Sequence, residues 1–183
     1  MNYDIAIIGG GPGGYTAAEK AAKAGLQVVL FEKDYLGGTC LNRGCMPTKS
    51  LLHSAETFAA LTHAQDLGIQ TQGASFDFTV MHQRKDQVVE TLRQGVEKMM
   101  KANKITVVSG QACIQAPGVV SCDGETYEVQ DIIIATGSKV AYPPIPGLRL
   151  PGVYNSKDIL EGGGHNFSSL IIIGGGVVGV ECA

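Results

Sequence analysis

Two cysteines and a lysine lie close together in the sequence GGTCLNRGCMPTK. Cys40 and Cys45 are five positions apart, and Lys49 follows the second cysteine by one helical turn. In a regular α-helix, Cα atoms five positions apart are roughly 8–9 Å from each other, whereas a disulfide joins Cα atoms roughly 4.4–6.8 Å apart. A bridge therefore requires a distorted first turn, which Gly44 and Pro47 permit because one relaxes the backbone and the other lacks an N–H donor.

A disulfide held in such a turn is reducible, which favours a catalytic role over a structural one. The alternatives are a structural disulfide and a metal site. No second pair of cysteines or histidines lies at metal-ligand spacing, so no metal site is predicted. Lys49 shares a helix face with Cys45, where its cation would stabilise a thiolate, although a lysine at this position can also be simply solvated.

The composition limits the class of protein to which these residues belong. The chain has 183 residues, of which 44% are hydrophobic and 17% are charged, as is typical of a soluble α/β protein. A net charge of −3 gives no nucleic-acid or anionic-membrane footprint. The apolar run at residues 5–8 is too short for a signal peptide or a membrane span, so we expect a cytoplasmic protein with reduced thiols outside catalytic pairs.

The elements that must position the cysteines begin with a βαβ pattern. A short apolar strand is predicted at residues 3–8, a helix at 15–23 and a second strand at 26–31, closed by the acidic residue Glu32. The glycine fingerprint G-x-G-x-x-G lies between the first strand and the helix, and it consists of Gly9, Gly11 and Gly14 within the run Gly9-Gly10-Gly11-Pro12-Gly13-Gly14.

This order of elements predicts a dinucleotide site. Glycines allow the backbone to approach a pyrophosphate, the helix N-terminus supplies N–H groups, and Glu32 can accept from ribose hydroxyls. The motif alone does not separate FAD from NAD. The cysteine segment starts five residues after Glu32, and a flavin is a two-electron partner for a dithiol, so FAD is favoured here.

The middle of the chain predicts helices and then strands. A helix is predicted from residue 50 to 65, and a long helix from an N-cap at Asp77 to about Ala102. Short strands at 105–109, 111–115, 119–121 and 126–129 indicate a β-meander beside the main sheet, and a buried strand follows at 132–135. If Pro117-Gly118 forms a two-residue turn, Cys113 and Cys122 face each other, although a longer loop would shift that register; we predict that they stay unbridged.

A second glycine fingerprint lies near residue 183. It consists of Gly174, Gly176 and Gly179, after a predicted strand at 170–173, with Glu181 beginning the helix. Two fingerprints imply two dinucleotides, FAD first and then NAD or NADP, and we expect the ribose-binding residue that would separate NAD from NADP to follow residue 183 in a longer chain. We expect an FAD-binding domain at 1–145, a linker at 146–168 and the beginning of an NAD(P)-binding domain at 169–183, as in the N-terminal part of a longer chain.

The order of fingerprint, Glu32 and GGTCLNRGCMPTK resembles the flavin disulfide reductases, the pyridine nucleotide-disulfide oxidoreductases. The resemblance covers essentially all 183 residues. Leu41-Asn42 and the run at 47–52 favour the dihydrolipoamide dehydrogenases over glutathione or mercuric reductases. The resemblance implies a Rossmann-like α/β fold: a parallel FAD-binding sheet with helices and an inserted β-meander, truncated at the start of a second Rossmann-like domain.

The resemblance also implies roles for individual residues. Cys40 matches the interchange thiol, Cys45 the charge-transfer thiol, and Lys49 the lysine near the reactive nitrogen of the flavin. These three are the expected catalytic residues. The expected cofactor-binding residues are Gly9, Gly11, Pro12, Gly13, Gly14, Glu32, Lys33, Gly38, Thr39, Cys40, Lys49, Ala112, Ala135, Thr136 and Gly137 for FAD, and Gly174, Gly176 and Gly179 for NAD(P).

The implied activity is electron transfer between a dithiol or disulfide substrate, the Cys40/Cys45 disulfide, FAD and NAD. The expected substrate is dihydrolipoamide, free or on a lipoyl domain, and the expected assembly is a homodimer without nucleic acid or membrane. The alternatives are a glutathione-type or mercuric-ion reductase, and, for this chain alone, an FAD-binding module without turnover.

Overall fold

A computed structural model of the protein describes residues 2–162 and 167–183. The chain divides into two compact units, one comprising residues up to 42 together with 90–139, the other residues 43–89 and 140–183. The predicted domain limits at 145 and 168 stay predictions, and the part of the predicted linker at 163–166 lies outside the described residues.

The first unit is built on a six-stranded sheet with the order β3-β2-β1-β6-β5-β4. The pairs β3–β2, β2–β1 and β1–β6 are parallel, whereas the pairs β6–β5 and β5–β4 are antiparallel. This arrangement confirms the predicted α/β class with a parallel sheet. The six strands are β1 (Asn2–Ile8), β2 (Val28–Glu32), β3 (Thr106–Ser109), β4 (Cys113–Ala116), β5 (Val119–Cys122) and β6 (Glu125–Ile134).

Helix α1 (Pro12–Lys23) is the crossover between β1 and β2. The helix ends at Lys23. Gly25 follows the C-cap Ala24 with a φ of +90°, the left-handed conformation that favours glycine after a helix. The first four residues of β2 are buried, as expected for a strand between two parallel neighbours. Phe31 packs edge-on against Tyr127 at 5.0 Å between ring centroids, in the core of this unit.

Two details of the sheet differ from the sequence prediction. The strand predicted at 105–109 is the outermost parallel strand of the main sheet, because the long preceding helix returns the chain to pair with β2. The strands predicted at 126–129 and 132–135 form the single strand β6. The start of β6 pairs with β5, and the rest of it pairs with β1. The meander therefore consists of β4, β5 and the first part of β6.

The hairpin of β4 and β5 contains a register shift. Ala116 pairs with Val119, as a two-residue turn requires, but Cys113 pairs with Ser121 because the register shifts by one residue before Ala116. Cys113 is exposed, Cys122 is buried, and both are free thiols. The prediction that Cys113 and Cys122 are unbridged is confirmed. The two cysteines do not face each other directly, as they would in an unshifted hairpin.

The second unit is largely helical. Two of its helices begin at side-chain caps. At the predicted N-cap, Asp77 Oδ1 accepts from the N–H groups of Thr79 and Val80, and Asn155 forms a capping box with Asp158. The helices wholly or partly in this unit are α3 (Cys45–Thr62), α4 (Phe78–Ala102, continuing into the first unit), α5 (Ser156–Glu161) and α6 (Val177–Glu181), with a 3-10 helix at Ala64–Leu67.

The strand predicted at 170–173 is not formed. Ile171 is 91% exposed and Ile173 is 69% exposed. A strand needs a hydrogen-bonded neighbour, and within residues 2–162 and 167–183 no strand pairs with this segment. Glu181, predicted to begin the last helix, is the final residue of α6.

Candidate active site

The first fingerprint forms a tight turn between β1 and α1. Gly9 has φ of +110°, and a Cβ on Gly14 would lie 1.7 Å from the carbonyl oxygen of Gly9, so neither position tolerates a side chain. Helix α1 begins with Pro12 after the N-cap Gly11, without a side-chain cap and without an acidic residue in its first turn. The N–H groups of this helix end are therefore available to an anionic group such as a pyrophosphate.

Glu32 closes β2 beside this turn. Its Oε2 accepts from the Gly10 N–H at 2.7 Å, and its Oε1 accepts from the Asp34 N–H at 2.9 Å. The carboxylate is thus held against the fingerprint by two backbone donors. Each carboxylate oxygen has a second lone pair, so the arrangement fits the predicted acceptance from ribose hydroxyls.

A cavity of about 170 Å³ opens at the carboxyl ends of the parallel strands. Four residues predicted to bind the cofactor line it, namely Gly9, Lys33, Ala112 and Thr136. Gly110 and Gln111 also line the cavity and were not predicted, although their position directly after a parallel strand is a usable signal. The full lining consists of Ile8, Gly9, Phe31, Lys33, Gly110, Gln111, Ala112 and Thr136.

The end of β6 closes the turn from the other side. The Ala135 N–H donates to the Ile8 carbonyl at 2.8 Å, and a Cβ on Gly9 would lie 2.2 Å from the Ala135 carbonyl oxygen. Gly137 has φ of +70°. Apolar walls, an open glycine turn, one cation and a ribose acceptor fit the adenosine and pyrophosphate part of FAD.

The cysteine segment forms two helices that meet at Gly44. Cys40 lies in α2 (Gly38–Arg43), and Cys45 is the first residue of α3. Gly44 interrupts the helical path with φ of −143° and ψ of −108°. The two cysteines are disulfide-bonded, as predicted from the distorted turn.

The start of α2 lies against the fingerprint. The Gly37 N–H donates to the Gly10 carbonyl at 2.8 Å, and a Cβ on Gly38 would lie 2.6 Å from the Gly11 Cα. Gly38, Thr39 and Cys40, all predicted to contact FAD, are therefore consecutive in a helix whose first residue touches the dinucleotide turn.

Lys49 lies one turn after Cys45 in α3, and its side chain is 62% exposed. Its Nζ is 3.7 Å from Oε1 of Glu181 in α6. Glu181 is a functional candidate that the sequence analysis treated only as part of a helix, and its closeness to Lys49 in the fold has no signal in the sequence.

The two fingerprint turns have the same local geometry. Gly9 and Gly174 have φ of +110° and +114°. A Cβ on Gly14 or on Gly179 would lie 1.7 Å or 2.0 Å from the carbonyl oxygen of the first glycine of its own turn. The middle glycine of both turns has φ of −74° and caps the following helix. The second turn is therefore shaped like a dinucleotide turn, although its strand is not formed.

Residues 3–183 match the family model described as pyridine nucleotide-disulphide oxidoreductase. The chain belongs to this family.

Within the described ranges no cluster of three or more His, Cys, Asp or Glu side chains could hold a metal ion, and no helix is long and apolar enough to cross a membrane.

Members of the family with curated names are similar over nearly the whole chain. A dihydrolipoyl dehydrogenase from Acholeplasma laidlawii is 43% identical over 186 residues, which cover 99% of this chain and 55% of the relative. One from Chlamydia muridarum is 45% identical over 192 residues and is covered to 40%. The chain therefore spans about half the length, or less, of these relatives.

A solved structure is similar in fold and sequence. The HOCl-induced flavoprotein disulfide reductase RclA from Escherichia coli has a TM-score of 0.78 and is 35% identical to this chain. The match covers 98% of this chain and 38% of that structure. A Cu(II) complex of RclA gives the same TM-score at 34% identity.

Proposed function

We propose that the protein binds FAD at the first fingerprint and exchanges electrons with dithiols through the Cys40/Cys45 disulfide. The observation that carries this proposal is the contact of Gly38, which begins the helix of Cys40, with Gly11 of the dinucleotide turn. FAD, when bound, supplies a two-electron acceptor next to a redox-active disulfide.

The chemistry of the disulfide follows from thiol exchange. A substrate thiolate attacks the sulfur of Cys40, the bond between the two cysteine sulfurs breaks, and Cys45 leaves as a thiolate. The second substrate thiol then attacks the mixed disulfide and releases the oxidised substrate. Cys40 leaves in this second exchange and takes up a proton. Two electrons have then passed from the substrate dithiol to the cysteine pair, which ends as the Cys40 thiol and the Cys45 thiolate.

Lys49 supports the thiolate of this step. It lies one helical turn after Cys45, so its cation lowers the energy of a negative charge at the start of α3. Glu181 pairs with Lys49 and thereby holds the lysine side chain near the end of the second fingerprint helix.

We propose dihydrolipoamide, free or on a lipoyl domain, as the substrate, because the named relatives with more than 40% identity are dihydrolipoyl dehydrogenases. NAD or NADP is the proposed second cofactor, at Gly174, Gly176 and Gly179. A cytoplasmic homodimer is the proposed assembly. A glutathione-type or mercuric-ion reductase is the alternative within the same chemistry.

Anaerobic titration with dihydrolipoamide tests the proposal. We expect the FAD-loaded protein to yield two alkylatable thiols, at Cys40 and Cys45, and one oxidised lipoamide for each disulfide reduced. In a protein as long as the relatives, dihydrolipoamide, reduced glutathione and mercuric ion are then tested side by side as substrates. The turnover of NAD is the readout. Retention of the disulfide in excess dihydrolipoamide would refute the dithiol reaction.

The second candidate function is an FAD-binding module without turnover of its own. The exposure of Ile171 and the missing strand before the second fingerprint favour it for this chain alone, because the second nucleotide turn lacks the sheet on which such sites are built. FAD retention without NAD-linked turnover would support this candidate.

A further inference from the structure

The side chain of Asn42 makes two hydrogen bonds within the segment that carries Cys40. It lies in α2, two residues after Cys40. Its Nδ2 donates to two backbone carbonyl oxygens, that of Leu36 at 3.0 Å and that of Gly38 at 2.9 Å. One side-chain amide therefore joins the helix that carries Cys40 to the segment that precedes it.

The orientation of this amide is determined by its donors. The Asn42 Oδ1 atom is buried and has no hydrogen-bond partner within the described residues. A flipped amide would place that oxygen against the carbonyl oxygens of Leu36 and Gly38, which is repulsive. The two donated hydrogen bonds therefore determine the orientation of the amide, at the cost of a buried acceptor oxygen without a partner.

The segment held by Asn42 is the one that contacts the fingerprint. The Gly37 N–H, between the two accepting carbonyls, donates to the Gly10 carbonyl at 2.8 Å. The Gly10 N–H in turn donates to Glu32 at 2.7 Å. A continuous set of hydrogen bonds therefore runs from the ribose acceptor Glu32 through the glycine turn to Asn42 and the helix of Cys40.

We propose that Asn42 is a positioning residue for Cys40, which fixes the cysteine relative to the cofactor turn and sets how readily the disulfide is reduced. The proposal rests on the proposed function for its cofactor side. The proposal includes that the two donated bonds stabilise the start of α2 more in the oxidised protein, in which they are seen, than in the reduced one. Their loss then moves the equilibrium with a dithiol toward the reduced pair.

Two variants test this role. Asn42→Asp keeps the shape of the side chain but replaces the donor by an oxygen, and Asn42→Ala removes the amide without adding charge. The matched control is Asn103→Asp, because the Asn103 Nδ2 donates a similar bond to the Met99 carbonyl at 2.8 Å in α4. Circular dichroism and thermal unfolding show whether each variant folds.

The main readout is the equilibrium of the Cys40/Cys45 disulfide with dithiothreitol in the cofactor-free protein, quantified by alkylation. Each reduced pair is matched by one oxidised dithiothreitol. We expect the equilibrium constant for reduction to rise about tenfold in both Asn42 variants, the effect of losing two net hydrogen bonds, and to stay unchanged in Asn103→Asp. An unchanged constant in either Asn42 variant would overturn the role. Failure of both to fold, where the control folds, would also overturn it and make Asn42 purely structural.

FAD titration separates this proposal from the proposed function. We expect Asn42→Asp to raise the dissociation constant for FAD severalfold while the control matches the unsubstituted protein. If the unsubstituted protein binds no FAD, the proposed cofactor is wrong, and the dithiothreitol equilibrium still decides whether Asn42 positions Cys40.

Discussion

At the scale of single residues, Glu32 shows how a predicted ligand is prepared by its neighbours. Its two oxygens accept from the Gly10 and Asp34 N–H groups, which fix the carboxylate beside the fingerprint. We expect Glu32→Ala to weaken FAD binding by about 1–3 kcal/mol, the cost of losing charged hydrogen bonds. Titration calorimetry measures the dissociation constant for FAD, and Glu128→Ala, at an exposed position, is the control. Equal FAD affinity in both variants would show that Glu32 does not bind the cofactor.

His82 gives the stability a pH dependence. Its side chain is 5% exposed and packs on Phe78, and burial, reinforced by Lys85 and opposed by Asp86, lowers its pKa. The folded protein therefore binds this proton less readily than the unfolded chain, whose histidines titrate near about 6.5. The contribution of the neutral His82 to the free energy of unfolding is fully present above that pH and is lost as the pH falls below it.

We therefore expect the unfolding free energy to decrease between about pH 7 and about pH 5.5, and His82→Phe to flatten that decrease. Urea unfolding at each pH measures the slope. The exposed His53→Asn serves as control and keeps the original slope. The same slope in His82→Phe as in the unsubstituted protein would contradict this assignment.

At the scale of elements, the fingerprint turn depends on the absence of one side chain. A methyl group on Gly14 would meet the Gly9 carbonyl oxygen at 1.7 Å, so Gly14→Ala must displace the start of α1. We expect a loss of several kcal/mol in stability together with loss of FAD binding. In Gly95→Ala, the added methyl meets nothing within 4 Å, and we expect stabilisation by up to about 1 kcal/mol from helix propensity. Thermal unfolding of both variants provides the comparison.

The cysteine elements predict a fixed thiol count. The sequence has five cysteines, two of which are in the disulfide and three of which are free. We expect three titratable thiols in the unfolded protein without reductant and five after reduction. In the folded protein Cys113 reacts first, because it is exposed, whereas burial raises the pKa of the Cys122 and Cys182 thiols. A single thiol without reductant would mean a second disulfide.

Features encoded by neighbouring residues could be predicted from the sequence, whereas those made by distant strands could not. The cap at Asp77 and the turn at Gly9 follow from local chemistry, and both are formed. The path of β3 to the sheet edge, and the place of Gln111 at the cavity, depend on pairing across more than seventy residues. The contact of Lys49 with Glu181 is likewise set by tertiary structure alone.

At the scale of the whole molecule, the apolar residues before the second fingerprint are the main exposed feature of its unit. Ile171 is 91% exposed and Ile173 is 69% exposed. Unpaired apolar chain invites association with another molecule. We expect concentration-dependent self-association in sedimentation experiments, reduced in the double variant Ile171→Lys/Ile173→Lys. A monomer at every concentration tested would contradict this expectation.

The register shift in the β4–β5 hairpin has a consequence for oxidative folding. In an unshifted hairpin Cys113 and Cys122 would face each other as a non-hydrogen-bonded pair, with Cα atoms about 4.5 Å apart, near the lower limit for a disulfide. The shift pairs Cys113 with Ser121 instead, and because side chains alternate along a strand it assigns the two thiols to opposite faces. One displaced residue thus keeps Cys113 and Cys122 from forming a disulfide across the hairpin in competition with Cys40 and Cys45.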